Sequence, residues 1–135
     1  MILGGGGADE VTGSAAADTF VLDHNTAGND MTVLEFDDSN DKIALDTSGS
    51  STLTGNAFVL AGALANNTNI KAVANAAALS GTTLGQAGFA YQGDTGELYY
   101  KADGDFSSGA VLIGVISTDD GTTAWTYSFS AFQVV

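Results

Sequence analysis

The sequence predicts an all-β protein: a short parallel β-roll over residues 1–30, capped by an antiparallel, β-sandwich-like module over residues 31–135. Two observations support this fold class. A nonapeptide with glycines and an aspartate occurs twice near the start, and the remaining sequence alternates short apolar runs with glycine-marked turns. Because 135 residues correspond to one domain by length, we expect no second core.

The predicted β-roll depends on two adjacent nonapeptides. Residues 4–12 match the pattern G-G-x-G-x-D-x-U-x, where U is a large apolar residue, at every specified position. The matching residues are Gly4, Gly5, Gly7, Asp9 and Val11. Residues 13–21 form a second copy that has lost two of the glycines but keeps Asp18 and Phe20. The apolar positions in this register are Ile2, Val11 and Phe20, and they predict one inward-facing side chain for each short strand.

The glycine turns favour the binding of a hard cation. Glycines allow a tight turn to adopt positive φ angles and to direct backbone carbonyls inward, and the aspartate adds a charged oxygen. Turns on the same side of such a roll recur every second nonapeptide. We therefore expect Asp9 and Asp23 to share a Ca²⁺ ion, with the carbonyls of Gly5 and Gly7 as further ligands. Since the apolar column is thin, Ca²⁺ is expected to supply part of the folding energy.

Four further aspartates are candidate ligands or simply turn residues. Asp18 lies in a turn that has lost two glycines, and the other three follow in polar segments. Aspartate also favours turns because its side chain makes local hydrogen bonds, so both interpretations remain open, as does the number of ions. The complete set of predicted metal ligands is Gly5, Gly7, Asp9, Asp18, Asp23, Asp30, Asp37 and Asp41.

The overall composition excludes several classes of partner. The net charge is −13, with three lysines and no arginine, which argues against nucleic acid or an anionic membrane surface. The absence of cysteine excludes disulfides and thiolate–metal sites. No stretch approaches the roughly 20 apolar residues of a membrane span, so no membrane insertion is expected. The N-terminal residues do not have the pattern of a signal peptide, so any export signal is expected elsewhere.

We expect no catalytic site. The sequence contains no nucleophile elbow, P-loop or zinc signature, and its single histidine, His24, is expected to be solvent-exposed in a polar turn. One group of aromatic residues fits either a sugar-stacking platform or a hydrophobic core. The core is favoured because a β-module of this size needs several aromatic side chains. The group consists of Tyr99, Tyr100, Trp125 and Tyr127.

Beyond the repeats, alternating apolar residues predict a series of short strands. The predicted strands are 31–36, 42–45, 57–63, 88–92, 97–101, 110–117, 124–129 and 132–135. Turns are predicted at 37–41, 93–96 and 119–121, and a surface loop at 46–56. Residues 66–79 fit either a short helix, capped by Asn67 or Thr68 and ended by Gly81, or an alanine-rich loop.

Four landmarks in this sequence resemble the C-terminal end of RTX proteins, which carry hemolysin-type calcium-binding repeats and leave the cell by type I secretion. The nonapeptide turns are followed by 33–45, which is similar to the family's I-x-D-F-x(n)-D-x-I-x-L stretch. Residues 96–104 resemble its T-G-x-L-Y-Y-D-A-D-G hairpin, and 131–135 its apolar terminus. The departures are Glu35, Lys101 and Ala131, each at a position where the family usually has aspartate.

The resemblance implies a calcium-binding C-terminal module that folds on Ca²⁺ after export and carries the type I secretion signal of a larger secreted protein. The implied partners are an ABC transporter, an outer-membrane channel and the N-terminal passenger domain of the parent protein. The implied location is extracellular or the cell surface. The alternative is a calcium-stabilised adhesive or carbohydrate-binding β-module that uses its polar loops and aromatic residues.

Overall fold

Two β-sheets form the framework in the computed structural model, which describes residues 1–24, 26–47 and 58–135. The strands in these ranges are β1 (Ile2–Leu3), β2 (Asp9–Thr12), β3 (Thr19–Leu22), β4 (Met31–Leu34), β5 (Lys42–Leu45), β6 (Ile70–Val73), β7 (Gly88–Gln92), β8 (Glu97–Lys101), β9 (Val111–Ile116) and β10 (Phe132–Val134). One short helix, α1 (Ala76–Ser80), and a 3₁₀ turn (Phe129–Ala131) complete the described elements. The predicted all-β class is confirmed at this level.

The first five strands alternate between the two sheets. Strands β1, β3 and β5 are neighbours in one sheet, whereas β2 and β4 are neighbours in the other, and all of these pairs are parallel. In the first sheet Ile2 pairs with Phe20, and Phe20 pairs with Ile43; in the second sheet Val11 pairs with Val33. The apolar positions of the nonapeptide register therefore stack in columns that face the interior.

The second sheet continues from β4 into the C-terminal half of the chain. Its order is β2-β4-β9-β8-β7-β6, in which β9 pairs parallel with β4, and β8 runs antiparallel to both β9 and β7. Strand β6 pairs parallel with β7 at the far edge. The hairpin between β7 and β8 turns at Gly96, which has a φ of 78°. A Cβ at Gly96 would lie 2.5 Å from the carbonyl oxygen of Ile116, so glycine is required there.

Strand β10 returns to the first sheet and pairs parallel with β5, with Phe132 opposite Ile43. The prediction of an antiparallel module over 31–135 is therefore correct only in part: β8 pairs antiparallel with β7 and β9, whereas β10, β9 and β6 each make a parallel pair. Both sheets combine strands from the predicted ranges 1–30 and 31–135. Residues of both ranges contribute to the main core.

Residues 66–79 form neither of the predicted arrangements throughout their length. Ile70–Val73 is strand β6, and the helix begins only after Asn75, whose side chain accepts a hydrogen bond of 3.0 Å from the Ala78 amide. The buried Asn69 prevents an earlier helix: its side chain bonds the backbone of Ala63 and Ala65 and closes a tight turn. Gly81 ends the helix, as predicted.

Two further predicted strands are absent. Residues 58–63 are not a strand, although Phe58 is fully buried, and Ala57 lies outside the described residues together with most of the predicted loop at 46–56. Residues 124–129 make only one bridge, between Ala124 and Ser117. Aromatic packing holds this second segment. The centroid of the Trp125 ring lies 5.2 Å from that of Phe36 and 5.8 Å from that of Phe132.

The main core lies between the two sheets. Its fully buried side chains include Phe20, Val33, Ile43, Tyr91 and Ile116. A smaller cluster, formed by Val73, Leu79, Ala90 and Phe106, packs on the outer face of the second sheet beneath α1. None of the helices in the described ranges is long and apolar enough to cross a bilayer.

Candidate metal site

The turn before β2 lies against the loop before β4, and we call these segments, residues 4–8 together with 23–24 and 26–30, the first edge. The Gly7 amide donates a 2.8 Å hydrogen bond to Asn29 Oδ1, and the Asp9 amide donates a 3.1 Å bond to the Asp30 carbonyl. Gly5 and Gly7 have φ angles of 86° and 110°, values that favour glycine. The expected neighbourhood of Asp9 and the Asp23 loop is thus present.

A small cavity of about 10 Å³ opens between the two segments, with room for about one water-sized particle. Its polar lining includes three aspartates and one asparagine, together with three glycines. Val21, Leu22, Met31 and Ile113 form its apolar side. The polar wall is made of Gly4, Gly5, Gly7, Asp9, Asp23, Asn29 and Asp30. The predicted ligands Gly5, Gly7, Asp9, Asp23 and Asp30 therefore border one cavity.

One oxygen in this wall lacks a partner. Asp9 Oδ2 is shielded from solvent and accepts no hydrogen bond from any described residue. A carboxylate oxygen in this state is destabilising unless a cation or donor satisfies it. Gly4 leaves the space beside it, because a Cβ at residue 4 would lie 3.0 Å from Asp9 Oδ2. The arrangement fits a cation bound next to Asp9.

The side chains alone do not form a complete coordination shell. Among the described residues there is no group of three or more histidine, cysteine or acidic side chains placed to hold a metal ion. Calcium sites also use backbone carbonyls, side-chain amides and water. A cation at the first edge would therefore need ligands from the glycine turn and Asn29 in addition to the carboxylates.

Asp23 forms a buried pair with His24. His24 Nδ1 lies 2.6 Å from Asp23 Oδ1, and the two residues are 3 % and 4 % exposed. The prediction that His24 is solvent-exposed was therefore wrong, because its side chain is buried against Asp23. His24 Nε2 is also buried and has no hydrogen-bond partner among the described residues.

The other three predicted ligands lie on the opposite side of the stack, in the turns 13–18 and 35–41, which we call the second edge. The Ser14 side chain and amide hold Asp18 Oδ2 at 2.8 and 2.9 Å and lower the pKa of Asp18. Asp37 Oδ1 accepts bonds of 2.7 and 3.0 Å from Ser39, which lower the pKa of Asp37. Asp41 is buried and bonded to backbone amides. The predicted set is thus divided between two edges.

Most of the aromatic group belongs to the core. Trp125 and Tyr100 are 3 % and 4 % exposed, which confirms the core interpretation for these two. Tyr99 and Tyr127 are half-buried, and burial raises the pKa of each to about 12. The Tyr127 hydroxyl donates to Asn66 Oδ1 at 2.9 Å. The four rings therefore do not form one exposed platform.

Sequence patterns did not identify Gly4 as a space-providing residue or Asn29 as the partner of Gly7. The repeat marks Gly4 only as a turn position, and Asn29 lies outside both nonapeptides.

Comparison with protein-family models gave no match, and neither curated proteins nor solved structures yielded a significant match.

Proposed function

We propose that this chain is a calcium-binding module whose first five strands form the end of a parallel β-roll. One Ca²⁺ ion binds at the first edge, beside Asp9 and between the glycine turn and the 23–30 loop. The observation that carries the proposal is the buried, unpartnered Asp9 Oδ2 in the wall of the cavity. The alternation of parallel strands between two sheets supports the β-roll.

Calcium suits the first edge better than other metals. Apart from backbone amides and the Asn29 side-chain nitrogen, the polar groups of the residues that line the cavity are carboxylate and carbonyl oxygens. Hard cations prefer oxygen ligands. Mg²⁺ requires near-ideal octahedral geometry, whereas Ca²⁺ accepts an irregular set of carboxylates, carbonyls and water. The net charge of −13 further favours a divalent cation over an anionic partner.

Calcium would act on the folding equilibrium. Without a cation, Asp9 Oδ2 stays buried with no donor among the described residues, and this unsatisfied oxygen destabilises the ordered first edge. Binding to the folded state alone increases stability by mass action. A Kd of about 10⁻⁴–10⁻³ M, typical of extracellular modules, would leave the site empty in a cytoplasm and filled outside a cell.

We extend the proposal to the C-terminal module of a larger protein exported by type I secretion. The sequence landmarks support it, since the stretches 33–45 and 96–104 include β5, β8 and half of β4, and 131–135 includes β10. In this role the chain would carry the secretion signal and fold on Ca²⁺ after export. The transporter and channel of that system and an N-terminal passenger domain would be its partners.

The calcium proposal is tested by urea unfolding, followed by circular dichroism in millimolar Ca²⁺, millimolar Mg²⁺ and excess chelator. We expect Ca²⁺ alone to raise the unfolding midpoint. Asp9→Asn should remove most of that increase, whereas the exposed neighbour Glu10, changed to glutamine, should leave it intact. Coincident curves for the unmodified protein in Ca²⁺ and chelator would refute the proposal.

The export proposal needs a separate test. Residues 1–135 are fused behind a reporter and expressed with a type I transporter and its channel in a Gram-negative host. Appearance of the reporter in the medium, dependent on the transporter, is the expected result. A reporter retained in cells that secrete a known substrate of the same transporter would contradict the secretion role.

A ligand-binding β-module is the second candidate. The observation in its favour is an open groove of about 430 Å³ beside β8 and β9, a volume within the range of small-molecule sites. Tyr100, Lys101, Asp103 and Val111 contribute to its walls. A glycan array tests this candidate: saturable binding that Lys101→Ala weakens would support it, and absence of binding would count against it.

A further inference from the structure

We propose that the two edges of the stacked turns are held by different chemistry. Ca²⁺ joins the turns at the first edge, whereas the carboxylate of Asp41 joins those at the second edge without an ion. The first half of this inference rests on the proposed function. The second half rests on hydrogen bonds that the structure describes directly.

Asp41 connects two successive turns of the second edge. Its Oδ1 accepts a 2.9 Å hydrogen bond from the amide of Asp18, and its Oδ2 accepts a 3.0 Å bond from the amide of Asp37. The residue is 0 % exposed. Each carboxylate oxygen therefore meets a backbone dipole that offsets its charge, and charge-assisted bonds of this kind are stronger than neutral ones.

The neighbouring backbone leaves little freedom around Asp41. A Cβ at Gly13 would lie 3.1 Å from the Glu35 carbonyl oxygen and 3.5 Å from Asp41 Oδ2. The Gly13 amide also donates a 2.9 Å bond to the Leu34 carbonyl. Glycine at position 13 thus allows the two turns to approach until a single side chain bridges them.

At the first edge, the bonds from Gly7 to the neutral Asn29 amide and from Asp9 to the Asp30 carbonyl link the described parts of the two segments. Asp9 Oδ2 has no donor among the described residues. The two edges therefore differ in what they need: the first needs positive charge, and the second already has its carboxylate satisfied. We infer that calcium stabilises the first edge locally and that Asp18, Asp37 and Asp41 are not calcium ligands.

Amide hydrogen exchange measured by NMR tests this difference on the unmodified chain, in millimolar Ca²⁺ and in excess chelator. Chelation should reduce protection of the Gly7 and Asp9 amides by about tenfold or more, as expected for local opening. The Asp18 and Asp37 amides, bonded to Asp41, should lose no more protection than the amides of β8, inside the second sheet, which report the change in global stability. Equal loss of protection at both edges would overturn the inference.

A pair of variants separates the role of Asp41 from calcium binding. Asp41→Asn should lower the urea midpoint by the same amount with and without Ca²⁺ and keep the calcium-dependent increase. Asp38→Asn, which removes the same charge from the same turn, should have a smaller effect. Loss of the calcium-dependent increase in Asp41→Asn alone would identify Asp41 as a ligand and overturn the inference.

The two proposals fail in different ways. If the unmodified protein does not respond to Ca²⁺ at all, the proposed function fails, and the first half of the inference fails with it. The Asp41 bridge would still be supported if Asp41→Asn reduced protection of the Asp18 and Asp37 amides. If Asp41→Asn cannot be purified as a folded protein, the exchange experiment on the unmodified chain still decides the inference.

Discussion

The hydroxyl of Tyr91, on β7, donates a hydrogen bond to the backbone carbonyl of Trp125, and the two rings pack edge to face with centroids 5.5 Å apart. Both residues are buried. Because residues 124–128 make only one bridge to the sheets, this double contact holds an irregular segment over the core.

The variant Tyr91→Phe should therefore lower the free energy of unfolding by about 1–3 kcal/mol, since the buried carbonyl of Trp125 loses its donor. Tyr127→Phe is the matched control, because the Tyr127 hydroxyl bonds the exposed Asn66. Its effect should stay within about 0.5 kcal/mol. Equilibrium urea unfolding measures the free energy of unfolding of both variants. Equal decreases would contradict the role of the Tyr91 hydroxyl in holding the Trp125 segment.

Phe58 is fully buried although it lies in no strand. The centroid of its ring lies 5.1 Å from that of Phe89 and 5.2 Å from that of Tyr100. Phe58→Ala should reduce stability by about 3–5 kcal/mol because it removes a large core side chain. Val59→Ala, at a position 69 % exposed, should change stability by less than about 0.5 kcal/mol. Thermal unfolding of the two variants is the direct comparison.

Gly7 and Gly6 allow a test of the backbone of the first edge. A Cβ would meet nothing within 4 Å at either position, but only Gly7 has a positive φ, of 110°. Gly7→Ala should therefore cost about 1–3 kcal/mol of backbone strain. Gly6→Ala should be close to neutral in urea unfolding. A similar decrease in the free energy of unfolding of both variants would show that the turn does not have the described conformation.

Stability should fall in acid partly through Asp119. Hydrogen bonds from Thr123, Ser117 and Thr122 hold the pKa of Asp119 far below its ordinary value of 3.8. A carboxylate whose folded pKa is depressed stabilises the protein above the unfolded pKa, and this contribution is lost as the pH falls below it.

The expected result is a difference in melting temperature between the unmodified protein and Asp119→Asn that is constant near neutral pH and narrows below about pH 3.8. Asp120→Asn, at the exposed neighbouring residue, serves as the control. A difference between the unmodified protein and Asp119→Asn that stays constant from pH 7 to the acid limit would exclude this role for Asp119.

Local sequence patterns predicted the strands that have a simple apolar alternation and a glycine turn. The bounds of β5, β7 and β8 agree with the predicted 42–45, 88–92 and 97–101. The sequence patterns failed at 66–79. Ile70 and Val73 are three positions apart, a spacing that fits a helix but also fits this strand, in which both residues are buried. The side chain of Asn69 decides the outcome through bonds to Ala63 and Ala65, which no periodicity reveals.

The same limit applies to the candidate site. Counting repeats predicted that Asp9 and the Asp23 loop lie on one side of the stack, and both border the cavity. Counting does not show which oxygen lacks a donor, nor that His24 turns inward to pair with Asp23. It also cannot separate Asp41 from a metal ligand, because aspartate serves both as an anion for a cation and as an acceptor for backbone amides.

The pairing of β10 with β5 also bears on synthesis. Phe132 lies opposite Ile43, so the first sheet gains β10 only after all the residues between these two positions have been made. Contacts between such distant positions slow folding, because a long loop must close before they form. A nascent chain on the ribosome cannot complete this sheet until β10 has emerged, so β1, β3 and β5 are made well before the strand that completes their sheet.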